Sequence, residues 1–145
     1  MRNKTRYSVR AVDPTDNAIA DELARMDKVC LGAWSKAPMD PLDGHWWFCL
    51  FGDEPVGYCG FKRSTDRVAY LHRTGVMPNH RGNGLQVDMM RFTELGARRL
   101  GYVSMVSDTT DNPASANSFI KRNWRIYAPK HPWAWERSVY WRKTL

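Results

Sequence analysis

Two groups of residues in this 145-residue chain have types and a spacing that can do chemistry. The first is the run Val76-Met77-Pro78-Asn79-His80-Arg81-Gly82-Asn83-Gly84-Leu85-Gln86, which passes from a strand-like segment through a glycine-bearing turn into helical spacing. The first amides of a helix have no internal acceptor and sit at the positive end of its dipole. A turn of this kind therefore binds phosphate oxygens, and the glycines remove Cβ atoms that would hold an anion away. Arg81 adds a cation able to make a charge-assisted contact. Gly82-Asn83-Gly84 in isolation would be an ordinary turn; its place between strand and helix gives it chemistry. The second group lies in the preceding segment, 68–76. Strand alternation there predicts Tyr70, His72 and Thr74 on one side and Leu71, Arg73 and Gly75 on the other. His72 suits proton transfer near neutrality, with an unperturbed pKa of about 6.5, although a hydrogen-bonded strand histidine without catalytic duty fits the same position. By residue type, Tyr70 and Tyr127 are both candidate proton donors.

The elements that must hold these groups follow from periodicity. Residues 7–12 read as a strand closed by Asp13-Pro14, after which Thr15 or Asp16 caps a helix carrying Ile19, Leu23, Met26 and Val29. Residues 31–43 are irregular, broken by Pro38 and Pro41. Residues 46–51 and 56–62 form a hairpin about the turn 52–55, and 68–76 is a further strand. A helix with Leu85, Met89, Phe92 and Leu95 on its apolar face runs to Leu100, where Gly101 ends it. A strand over 102–106 follows. Asp111 or Asn112 then starts a helix with Pro113 at its first position, and strands near 124–127 and 137–141 finish the chain. This order predicts an α/β fold in one domain over residues 1–145.

Composition sets outer limits. A length of 145 residues suits one globular domain. The longest apolar run, 46–51, is far shorter than the roughly 20 residues of a membrane-spanning helix, and no signal-like segment opens the chain, so the expectation is a soluble, cytoplasmic protein without a membrane partner. Cys30, Cys49 and Cys59 have neither the spacing of a metal site nor the even count of a disulfide framework. The net charge of +7 attracts anions without saying which. Trp124, Trp133, Trp135 and Trp141 crowd the last quarter of the chain, as core packing or as a binding wall.

The string Val-x-Pro-x-x-Arg-Gly-x-Gly at a strand end resembles the acetyl-coenzyme A signature of the Gcn5-related N-acetyltransferase (GNAT) superfamily. Asn112-Pro113-Ala114-Ser115, leading to Phe119, Lys121 and Trp124, resembles that family's second signature, and the order of elements agrees over nearly the whole chain. The resemblance implies a mixed central sheet with helices on both faces, and acetyl-CoA as co-substrate. It implies that Arg81, Gly82, Asn83, Gly84, Leu85 and Gln86 bind the pyrophosphate. The backbone at Thr74 to Val76 would bind the acetyl carbonyl and pantetheine arm, and Asn112 and Phe119 would complete the cofactor site. Two positions depart from the pattern: Gln86 replaces the usual Gly or Ala, and Phe119 replaces a tyrosine that serves many members as general acid.

The activity implied is acetyl transfer to a primary amine, on a small molecule or a protein. Because a free alkyl amine with a pKa of about 10.4 is protonated at neutral pH, a base must take its proton, and some family members carry a histidine at the position of His72. Trp34, Met39 and the run 129–135 fall where the fold admits an acceptor. Two other readings accompany this one. A non-catalytic member working through a protein partner accounts for Gln86 and Phe119, as a monomer or homodimer. A nucleic-acid binder has only the pI and the pairs Arg98-Arg99 and Lys121-Arg122 in its favour, with no recognition motif.

Overall fold

The computed structural model describes residues 6–32 and 39–145, so Trp34 and Pro38 lie outside the described residues. Seven strands form one mixed sheet in the order β1-β2-β3-β4-β5-β7-β6: β1 Tyr7–Val12, β2 His45–Phe51, β3 Glu54–Arg63, β4 Val68–Val76, β5 Ser104–Thr109, β6 Arg125–Tyr127 and β7 Val139–Thr144. All neighbours are antiparallel except β4 and β5. Helices α1 Asn17–Cys30, α2 Leu85–Arg99 and α3 Pro113–Lys121 complete it. One apolar cluster, with Cys59, Phe61, Leu71, Met89 and Met90, joins the sheet to α2. A second, with Leu23, Met26, Trp46 and Tyr58, joins the opposite face to α1. Among the described residues no helix is long and apolar enough to cross a membrane.

The caps follow local chemistry. Asp16 Oδ1 accepts from Ala18 N at 2.9 Å and starts α1. Asn112 Oδ1 accepts from Ser115 N at 3.0 Å and starts α3, with Pro113 at its first position. Gly101, at φ +92°, ends α2 in the left-handed region.

Hydropathy misplaced two helix faces. Val29 is 49% exposed, because Asp27 and Cys30 turn inward instead. Asp27 tolerates burial because Tyr58 OH donates to it at 2.7 Å and Arg73 at 2.8 Å. Leu95 is likewise exposed, while Thr93 and Glu94 are buried. Thr93 Oγ1 donates to Met90 O, and Glu94 accepts from Arg122, Lys143 and Trp124 Nε1. The fifth strand runs over 104–109, later than the expected 102–106, because its inward residues include Ser107 and Thr109. Both are satisfied inside, Ser107 Oγ donating to Leu71 O at 2.7 Å and Thr109 Oγ1 accepting from Trp141 Nε1 at 2.9 Å. The last strand is also later, 139–144 in place of 137–141.

A bulge overturns the alternation expected on β4. Gly60 pairs with Arg73 but Phe61 pairs with Leu71, so His72 is the extra residue. Beyond it the faces are exchanged. Arg73 and Gly75 join Tyr70 and His72 on the α1 side, where Arg73 meets Asp27 and a Cβ on Gly75 would stand 2.6 Å from Tyr58. Thr74 moves to the α2 side with Leu71, opposite Cys59.

Candidate active site

Strands β4 and β5 pair only over three residues, Val68 with Ser104 to Tyr70 with Val106, although both continue outward. Past that point they part, and the gap opens into a cavity of about 940 Å³. Its walls are the outer half of β4, the turn before α2, the end of β5 and the start of α3.

The turn leaves the start of α2 open. Pro78–His80 makes one 3-10 turn, Gly82 has φ +79° and Gly84, the residue before α2, has φ +73°. Side chains with a Cβ adopt that region at a cost. Gly84 supplies no side-chain acceptor, so the opening amides of α2 have no cap and face an open volume. The turn is braced from outside. Arg81 Nε donates to Val76 O at 2.9 Å, while Asn83 Nδ2 donates to His80 O at 2.9 Å and lies 3.4 Å from Tyr7 OH, which is paired with His80 Nδ1 at 2.9 Å.

Leu85 is buried beneath the turn. Gln86, which the resemblance puts among the pyrophosphate ligands, donates its side-chain Nε2 to Ser115 Oγ at 2.8 Å. Asn112 spends its side-chain oxygen on the α3 cap. Phe119 borders the cavity but is 1% exposed, its ring 5.5 Å from Trp141 in a near-parallel stack and 4.8 Å from Trp124 edge-on. It is a core side chain first.

His72 reaches the cavity wall with its Nε2 buried and, among the described residues, without a hydrogen-bond partner; Thr74 Oγ1 is in the same condition. The imidazole lies 5.0 Å from the ring of Trp46. Burial lowers its pKa from 6.5 to about 4, the cations Lys62 and Arg73 push the same way, and Asp43 opposes them. Neither tyrosine lines the cavity. Tyr70 OH donates to Asp108 at 2.7 Å, and burial, then the Asp108 charge, raises its pKa. Tyr127 sits on the outermost strand with Arg142 over its ring at 5.2 Å, and its pKa is also raised, chiefly by burial.

Sequence reasoning missed two features of this site. Asp108 lines the cavity, and it escaped notice because the expected strand stopped at 106. The Asp27–Arg73 pair escaped because only the bulge turns Arg73 toward α1. Of the tryptophans, Trp124 and Trp141 are buried at 3% and 2%, while Trp133 and Trp135 are 42% and 45% exposed beside the cavity mouth. The core reading thus holds for Trp124 and Trp141, and of the exposed pair only Trp135 lines the cavity.

Residues 18–124 match the family model described as Acetyltransferase (GNAT) family. The fold is shared with an acetyltransferase from Streptococcus agalactiae, at TM-score 0.75 and 17% identity, covering 97% of this chain and 99% of that one. A GNAT family acetyltransferase from Elizabethkingia anophelis, solved with acetyl-CoA bound, gives TM-score 0.75 at 13% identity, covering 97% and 99%. A putative acetyltransferase from Salmonella typhimurium, solved with its cofactor acetyl-CoA, gives 0.72 at 20%, covering 96% and 94%. At these identities the likeness is one of fold. No protein of curated function matches the sequence.

Proposed function

Because the chain belongs to the acetyltransferase (GNAT) family, we propose that it transfers the acetyl group of acetyl-CoA to a primary amine. The observation that carries this reading is the uncapped N-terminus of α2, with left-handed Gly82 and Gly84, opening onto the gap between β4 and β5. That arrangement supplies amide donors for a diphosphate and an adjoining slot for an extended arm. His72 lines the same gap, and its Nε2 is a buried polar atom without a hydrogen-bond partner among the described residues. The departure at Gln86 is no obstacle, since its amide is held against Ser115.

When bound, acetyl-CoA supplies an activated thioester. This chain's residues do the rest. The amides of Leu85 to Val87 and the turn before them bind the diphosphate, and backbone groups at Thr74 to Val76 orient the carbonyl. His72 accepts the amine's proton. Its lowered pKa keeps the imidazole in the accepting form at neutral pH, at the expense of base strength. The amine forms the new C–N bond as C–S breaks. A thiol ionises in water near pH 8.5, roughly, so the departing thiolate leaves without help from a tyrosine, consistent with Tyr70 and Tyr127 standing off the wall.

The test is release of free thiol from acetyl-CoA with a panel of primary amines. Amine-dependent release that falls in His72→Ala, with acetyl-CoA affinity retained, is expected. Binding of acetyl-CoA without transfer to any amine would instead favour the non-catalytic reading.

A further inference from the structure

Beyond the pairing of Tyr70 with Val106, the residues two further along each strand are His72 and Asp108, so these two flank the gap at the same level. Both line the cavity. The hydrogen bond from Tyr70 OH puts Asp108 on the α1 side, as does its register opposite Tyr140, while its neighbours Ser107 and Thr109 face the other way. Tyr70 engages Oδ1, and among the described residues no cation pairs with Asp108. That is unusual in a chain of net charge +7, since the cations nearby are otherwise engaged. Arg73 is bonded to Asp27 at 2.8 Å, Lys62 to Asp43 at 3.2 Å, Arg137 to Asp111 at 2.7 Å, and Arg142 lies over Tyr127.

We propose that Asp108 anchors the acceptor's ammonium group and so selects acceptors with no carboxylate beside the nitrogen. This rests on the acetyltransferase reading above. A second carboxylate on the acceptor would meet Asp108 with like charge, and Arg73, already committed to Asp27, is a poor counter-ion for it. The anchored nitrogen lies between Asp108 and His72, where it loses its proton before attack.

The matched probes are phenethylamine and phenylalanine, which differ by one carboxylate, assayed by thiol release with acetyl-CoA. Wild type should favour phenethylamine by about tenfold or more in kcat/KM. Asp108→Asn keeps an oxygen for Tyr70 and so should fold. It should lose about tenfold on phenethylamine, mostly in KM, and narrow the preference, with acetyl-CoA affinity by calorimetry unchanged. Equal use of the two probes, neither being acetylated although acetyl-CoA binds, or unaltered kinetics in Asp108→Asn would overturn the anchor. Failure of wild type to bind acetyl-CoA would remove the acetyltransferase reading itself, and the anchor with it.

Discussion

The side-chain amide of Gln86 donates to the hydroxyl of Ser115 at 2.8 Å and so ties the first turn of α2 to the first turn of α3 across one wall of the cavity. Ser115 is buried, and its own backbone N–H is taken by the Asn112 cap, so the tie continues into the loop after β5. A residue that looked from its type like an intruder in an anion site is instead a strut beside it. Gln86→Ala should therefore cost about 1 kcal/mol of stability and change acetyl-CoA affinity by less than about threefold. Thermal unfolding and calorimetry on the same samples check the two halves.

The lowered pKa of His72 makes stability depend on pH with a definite sign. The unfolded imidazole binds a proton near pH 6.5, whereas the folded one holds out to about 4. Stability from the neutral folded form is complete above pH 6.5 and is lost as pH falls from there toward 4, by roughly 2 to 3 kcal/mol. Urea unfolding at pH 7.5 and pH 5 should show a smaller loss in His72→Gln than in wild type. Equal losses would mean that the imidazole is solvated.

The same residue gives a kinetic expectation. With acetyl-CoA saturating, kcat/KM for an amine bound as its ammonium ion should show no inflection near 6.5, because the folded imidazole stays unprotonated down to about pH 4. A clear break at that value, absent in His72→Gln, would show that His72 titrates as an ordinary exposed histidine.

Glu94 is buried at 6% and holds Arg122, Lys143 and the Trp124 indole at once, joining α2 to the end of α3 and to β7. Glu94→Ala should destabilise by about 3 kcal/mol, since two cations lose their anion in a sheltered place. Chemical denaturation measures this directly. A loss within about 0.5 kcal/mol would indicate that water reaches the cluster.

The frame and the glycine turn were legible in the sequence because each rests on local rules. Asp16 and Asn112 cap, Pro113 opens a helix, Gly101 closes one, and the glycines at 82 and 84 take left-handed angles between a strand and a helix. What stayed hidden was set by non-local pairing. The bulge at His72 falls where the β3 register shifts between Gly60 and Phe61, and nothing near His72 in the chain announces it. It reverses the sides of Arg73 and Thr74. Buried polar residues misled hydropathy in the same way: Asp27, Glu94, Ser107 and Thr109 go inside because partners distant in sequence satisfy them. Asp108 was lost with the misplaced end of its strand.

The central claim is that the uncapped start of α2 grips the diphosphate of acetyl-CoA, and calorimetric titration of wild type and Gly84→Val with acetyl-CoA addresses it most directly. Gly84 has φ +73°, so valine there strains the turn by about 1 to 2 kcal/mol and moves the opening amides. The account predicts one-to-one binding at about micromolar affinity in wild type, weakened more than about tenfold in a Gly84→Val protein that is still folded. No binding in wild type, or equal binding in both proteins, would contradict it.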